Sequence, residues 1–219
     1  MKRRVAILIS GRGSNMMALI KAARAPDYPA AIALVVSNRP AAPGLALARA
    51  QGVAALAIDH KQFATREAFD DAVAAALLGE GVELVCQAGF MRIQSAAFAT
   101  RFLGRQLNIH PALLPSFKGL NAQKQALDAG VRIAGCTVHF VTPELDAGPI
   151  VAQAAVPVLP TDTVDALAER ILAAEHRLYP LALRLVASGE ARLEGGRVAL
   201  EASVNQADCL FSPAAAPPG

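Results

Sequence analysis

Tryptophan is absent from this chain, tyrosine occurs twice and cysteine only three times. Cys86, Cys136 and Cys209 are odd in number and lack CxxC spacing, which argues against both a disulfide framework and a zinc site and points to a reducing compartment. No apolar run reaches the roughly 18 residues of a membrane helix. The run Val5 to Ile9 is shorter than the roughly 7 to 15 residues of a signal-peptide core and has no small-residue cleavage pattern behind it. It reads as a first strand, and a soluble cytoplasmic protein without membrane partners is expected. Charge is sparse as well: Asp, Glu, Lys and Arg make up 18% of the chain, and the net charge is only +3. Beyond Lys2 to Arg4 there is no dense basic run interleaved with aromatics, which disfavours nucleic acid as a partner despite a pI near 9.0. A small anionic substrate is enough to account for local basic residues.

What is present is apolar material, 54% of 219 residues, enough to bury one α/β core. Short apolar runs alternate with helical periodicity, the signature of βαβ units. Strands are expected at Val5 to Ile9, Ile32 to Val36, Ala54 to Ile58 and Leu84 to Gln87. Amphipathic helices are expected at about Asn15 to Ala25, Gly44 to Gln51 and Arg66 to Leu78. Further strands are expected at Gln106 to Ile109, Cys136 to Val141 and Ile150 to Val158, the last running antiparallel at the sheet edge. Thr163 to Ser188 reads as a long helix interrupted or bent near Pro180, and Arg192 to Leu200 as a terminal hairpin. The fold class is therefore α/β: a Rossmann-like, doubly wound, mostly parallel sheet with an antiparallel edge. One catalytic domain is expected over 1–204, followed by a flexible tail over 205–219.

Two places carry chemistry. The first strand runs into Ser10-Gly11-Arg12-Gly13-Ser14-Asn15 and then a helix, an arrangement that presents free backbone N–H groups to an anion. A tight strand-to-helix turn with Ser14 or Asn15 as N-cap is the plainer alternative. A dinucleotide fingerprint would place a third glycine at Met16 and an acidic residue near Ser37 or Asn38. Both are missing, so a single terminal phosphate held by Gly13, Ser14 and Asn15 is the better reading.

The second place is Gln106-Leu107-Asn108-Ile109-His110-Pro111. It puts Asn108 and His110 on one face of a strand whose end Pro111 forces to stay extended. Half-buried polar residues satisfied by the backbone are the plainer alternative. The loop Glu144-Leu145-Asp146-Ala147-Gly148 lies between two strong strands and is able to bring a carboxylate back to the imidazole, although spacing alone does not show that Asp146 reaches His110. A carboxylate there favours the charged ring. An amide and an imidazolium aimed at one point make a donor pair for the oxyanion of acyl or formyl transfer.

With GRGSN after strand one, GFMRI at Gly89 to Ile93, LNIHPALLP at Leu107 to Pro115 and GCTVHFVTPELDAG at Gly135 to Gly148, the chain resembles the folate-dependent formyltransferases over roughly residues 3 to 200. HPALLP and the Asp loop are common to that superfamily. GRGSN and the AEH run ending in His176 resemble its glycinamide-ribonucleotide branch. The resemblance implies the formyltransferase fold, no metal, and Asn108, His110 and Asp146 as catalytic residues. It implies 10-formyltetrahydrofolate as cosubstrate, in a site of Arg66, Met91, Arg92, Ile93, Gln94, Asn108, Thr142, Pro143, Glu144, Leu145 and Asp146. It also implies glycinamide ribonucleotide as substrate, held by Gly13, Ser14, Asn15 and Glu175, in a monomer or homodimer. A formyltetrahydrofolate hydrolase, another folate-dependent formyltransferase and a non-catalytic nucleotide-binding module are the alternatives. The segment Gly119 to Gln125 (GLNAQKQ) departs from the GLHTHRQ of some relatives and is given no catalytic role.

Overall fold

A computed structural model describes residues 1–201. The tail expected at 205–219 lies outside the described residues, as do residues 202–204 of the expected domain. The order of elements is β1 (Arg3–Ile9), α1 (Ser14–Ala23), β2 (Ala30–Ser37), α2 (Pro43–Ala50), β3 (Ala54–Ala57), α3 (Arg66–Gly79), β4 (Leu84–Gln87), α4 (Ala96–Arg101), β5 (Gln106–His110), α5 (Ala122–Asp128), β6 (Ile133–Phe140), β7 (Ile150–Pro157), α6 (Val164–Ser188), β8 (Ala191–Glu194) and β9 (Arg197–Leu200). Helices α4 and α5 were not expected; each is short, with six and seven residues, too few for a helical period to stand out.

Seven strands form one sheet in the order β3-β2-β1-β4-β5-β6-β7. Pairing is parallel from β3 through β5 and antiparallel for β5 with β6 and β6 with β7. The edge strand β7 therefore pairs antiparallel as expected, and β6 is the strand whose direction is reversed. The chain winds outward from β1 to β2 and β3, then returns to start again at β4 on the other side of β1. That reversal opens a crevice at the carboxyl ends of β1 and β4, where doubly wound sheets bind ligands.

Strand β1 shows why the sheet is central. Val5 through Ile9 are fully buried, a continuous apolar run because both faces of a parallel sheet are covered. With period two, Val5, Ile7 and Ile9 face Met16, Leu19, Leu167, Ile171 and Tyr179 of α1 and α6. Ala6 and Leu8 face Phe69 and Val73 of α3, Phe98 of α4 and Phe102 just after it. Each large aliphatic side chain buried in this way contributes about 1.5–3 kcal/mol. Helix α6 runs without interruption through Pro180, and the Pro180 carbonyl accepts a hydrogen bond from the Tyr28 hydroxyl at 2.7 Å. The buried Tyr179 hydroxyl lies 3.0 Å from the Gln87 carbonyl and 3.1 Å from that of Leu107, tying α6 to the ends of β4 and β5.

Candidate active site

Two half-sites flank the crevice. On the β1 side, Gly13 takes the N-cap position of α1 with φ +77° and no side-chain cap. Neither Ser14 nor Asn15 caps the helix, because both are already helical. The first intrahelical bond there runs from Met17 N to Gly13 O, so the amides upstream have no acceptor within the helix. Ser14 is exposed, whereas Asn15 is buried and donates from Nδ2 to Glu175 Oε2 of α6 at 2.6 Å. Asn15 Oδ1 is buried without a partner. Burial raises the pKa of Glu175, and the Asn15 hydrogen bond opposes that shift. A buried carboxylate and an orphaned amide oxygen beside free helix amides are the equipment for a polar, anionic ligand.

Ser10 joins this half to the other. Its hydroxyl donates to Asn38 Oδ1 at 2.5 Å and accepts from Met91 N at 2.8 Å, while its own N–H donates to Gly89 O. The loop after β4 is thereby fixed against the end of β1.

That loop is one wall of a cavity of about 340 Å³. Met91, Arg92, Ile93 and Gln94 line it on one side, Thr142 through Asp146 on the other, with Asn108 between them. Gln87, Gly119, Leu120 and His139 also line it; none of these four was given a role from the sequence. Three amides meet at one wall, where Gln94 Oε1 accepts from Gln87 Nε2 at 2.6 Å and Gln106 Nε2 at 2.5 Å. The Arg92 guanidinium sits 5.3 Å from the centre of the Phe69 ring, within range of a cation–π interaction. Arg66 is an exposed first-turn residue of α3 and is not among the lining residues.

The Asp146 loop does reach the end of β5. Asp146 has φ +47°, a left-handed conformation that Asp tolerates better than most residues. Its Oδ2 accepts from Gly119 N at 2.9 Å and lies 3.5 Å from His110 Nδ1, and its Oδ1 lies 3.8 Å from His139 Nε2. His110 itself stands behind the cavity wall, 5% exposed. Its Nε2 is 2.9 Å from the Phe117 carbonyl, which can only accept, so that nitrogen carries a proton. The chain between is pinned from beneath. Thr137 Oγ1 donates to Ala112 O at 2.7 Å and accepts from Leu114 N at 3.0 Å, and Gln153 Nε2 donates to Leu114 O at 2.9 Å. Gly119, within the segment given no catalytic role, is thus the backbone partner of Asp146.

Cys86 and Cys136 are buried and unpaired, and burial pushes both thiols up to about 12. Such thiols are poor nucleophiles at neutral pH. Among the described residues, no cluster of His, Cys, Asp and Glu is arranged to hold a metal, and no helix is long and apolar enough to cross a membrane.

The formyl transferase family model matches residues 3–183. The chain belongs to the formyl transferase family. It is 41% identical over 189 residues to phosphoribosylglycinamide formyltransferase of Escherichia coli, covering 86% of this chain and 89% of that protein. The trifunctional purine biosynthetic protein adenosine-3 of Bos taurus is 52% identical over 198 residues, which cover 90% of this chain. The chain spans 20% of the length of that trifunctional relative. A crystal structure of glycinamide ribonucleotide transformylase 1 from Symbiobacterium toebii superposes with a TM-score of 0.88 at 52% identity, covering 91% of this chain and 94% of the other.

Proposed function

We propose that this family member transfers the formyl group of 10-formyltetrahydrofolate to the amine of 5-phosphoribosylglycinamide. The products are formylglycinamide ribonucleotide and tetrahydrofolate, a step of purine (IMP) synthesis. The observation that carries this reading is a cavity lined by Asn108 and Asp146, with His110 3.5 Å from Asp146 behind its wall, together with the buried Asn15–Glu175 pair at the start of α1. The likeness to phosphoribosylglycinamide formyltransferase of Escherichia coli, which covers most of both chains, supports it.

In this reading the amides at the start of α1, from Gly13, Ser14 and Asn15, hold the phosphate, and Asn15 with Glu175 orients the rest of the ribonucleotide. The folate lies in the cavity between the loop at 91–94 and the loop at 142–146. The amine attacks the formyl carbon, the Asn108 amide N–H stabilises the growing negative charge on the formyl oxygen, and the bond from carbon to the folate nitrogen breaks. Asp146, facing the cavity, carries the proton from the amine towards the leaving nitrogen, directly or through one water. His110 becomes a second donor when its Nε2–H exchanges the Phe117 carbonyl for the formyl oxygen. Catalytic hydrogen bonds of this kind are often completed only when substrate is bound.

Incubating the protein with the formyl donor, with and without glycinamide ribonucleotide, tests the reading. Tetrahydrofolate should form only in the presence of the ribonucleotide and in equal amount to the formylated product. Release of formate without the ribonucleotide would identify a hydrolase instead, and an intact donor in both arms would remove the catalytic assignment.

A further inference from the structure

His139 is the member of the polar cluster to which the mechanism above gives no task. It lies on β6 directly opposite Asn108 of β5 in the antiparallel register, so their side chains leave the sheet on the same face. Both line the cavity. The contacts of His139 determine which of its nitrogens carries a proton. Nδ1 is 2.9 Å from the Phe140 carbonyl, a group that only accepts, so Nδ1 is the protonated nitrogen. Nε2 is 3.2 Å from Asn108 Nδ2, and on a neutral ring it is a bare acceptor. Burial, ahead of all other influences, lowers the pKa of this ring; the Phe140 carbonyl and Asp146 pull it up, and His110 and Lys118 push it down. The ring is 3% exposed.

A bare Nε2 has one consequence for Asn108. It attracts the amide nitrogen and repels the amide oxygen, so one Nδ2–H is spent on His139 and the other is left for a ligand. Rotating the Asn108 amide by half a turn would put Oδ1 where that free donor stands, facing the oxygen on which negative charge develops. Nothing else among the described hydrogen bonds holds this amide in one of its two orientations.

Resting on the function proposed above, we infer that His139 is a positioning residue. Its unprotonated Nε2 fixes the Asn108 amide so that a single N–H points at the formyl oxygen. His139 touches no reacting atom in this assignment and acts through Asn108 alone.

The nitrogen-15 spectrum of the His139 ring in the whole protein tests the premise without reference to activity. The assignment requires a neutral ring with its proton on Nδ1 at neutral pH; a proton on Nε2 would overturn it. The kinetic test uses two substitutions. His139→Leu removes the acceptor and should lower kcat roughly 10- to 100-fold, the order of a misdirected oxyanion donor, with KM for the folate nearly unchanged. His139→Gln places a carbonyl oxygen near the position of Nε2 and should recover most of the loss. Combined with Asn108→Ala, His139→Leu should cost little more, because the amide it orients is gone. Gln no faster than Leu, or losses that multiply in the double variant, would refute the role. Formyl transfer by the unmodified protein is measured first, so its absence counts against the proposed reaction and not against the ring assignment. If the Leu variant fails to fold, the ring spectrum and the Gln variant still decide.

Discussion

Substituting Gly148 by alanine should disable the active site from outside it. A methyl group at this position would stand 2.9 Å from the Phe140 carbonyl carbon and 3.3 Å from Thr142 Cγ2, and closer still to Phe140 O. Phe140 is not free to give way. Its N–H donates to Pro149 O at 2.9 Å, its side chain is fully buried, and it is paired across the sheet with Leu107. The displacement therefore falls on the loop at 142–147, by on the order of 1 Å, with a stability loss of about 1–3 kcal/mol for forced overpacking. For a chain of this length that lowers Tm by roughly 2–12 °C. Asp146 is two residues away, and its carboxylate depends on the 2.9 Å bond from Gly119 and the 3.5 Å approach to His110. A shift of that size at the group proposed to move the proton should cost about 100-fold in rate. Thermal melting with steady-state kinetics reads both effects, and calorimetric binding of the ribonucleotide serves as control, since the hydrogen bonds described for Asn15 and the start of α1 do not involve this loop. A variant with parental Tm and kcat would refute the packing argument. Ribonucleotide affinity falling in step with kcat would refute the separation of the two half-sites.

Three other perturbations probe the remaining parts. Gly13→Val places a branched side chain at φ +77°, with a Cβ 3.0 Å from Met16 Cε and 3.4 Å from Gly44 Cα; ribonucleotide affinity by calorimetry should fall roughly tenfold or more while folate binding stays near parental. Asp146→Asn keeps the shape and removes the charge, so single-turnover formyl transfer should slow by roughly 100-fold or more with ribonucleotide affinity retained. Glu175 has a folded-state pKa raised by burial, so the stability its protonated form contributes is present below the unfolded pKa and lost as pH rises through the folded one. Glu175→Gln should accordingly raise Tm at about pH 8, have little effect at about pH 4, and weaken ribonucleotide binding; equal melting shifts at both pH values would exclude ionisation as the cause.

The sheet was legible because its strands are long apolar runs separated by turn residues, and β1, β2, β4 and β5 lie within two residues of the expected bounds. Helix α6 shows the limit of local rules, since Pro180 suggested an interruption or a bend, and the helix continues through it with Leu178, Tyr179, Ala182 and Leu183 buried around it. The two half-sites were legible for different reasons. The glycine loop after β1 is contiguous in sequence, so its geometry follows from one turn and one helix start. Asp146 and His110 are 36 positions apart, and only the β6 return from β5 brings them to 3.5 Å. His139 was missed because a single histidine in the apolar run of β6 looks like an ordinary core residue; its partner Asn108 is visible only once the antiparallel register is known. Gly119 was missed because it acts through its backbone, which no side-chain pattern reveals. Arg66 came from resemblance, and the fold leaves it exposed at the start of α3.

The departures from good packing gather at the crevice. Asn15 Oδ1 and Gln106 Oε1 are buried without partners, Glu175 is a carboxylate inside a helical interface, and Asp146 has positive φ. A buried polar atom left unpaired costs about 1–3 kcal/mol, and a residue held in the left-handed region a comparable amount. The apolar, fully buried run Val5–Ile9 of β1 shows that this sheet does not need polar interior groups for its own stability. The placement of Asn15 and Glu175 beside the end of β1 and of Asp146 beside the end of β5 therefore reads as a demand of the ligand, with the aliphatic layers on both faces of the sheet offsetting the cost. Ser10 makes the arrangement a single unit. By accepting from Met91 N while donating to Asn38, it holds the loop at 91–94 against the strand that carries the glycine loop. In the proposed reaction the nucleophile on one side and the formyl donor on the other would then meet at a fixed separation, and rigid placement of two reactants is worth several kcal/mol of a transfer barrier.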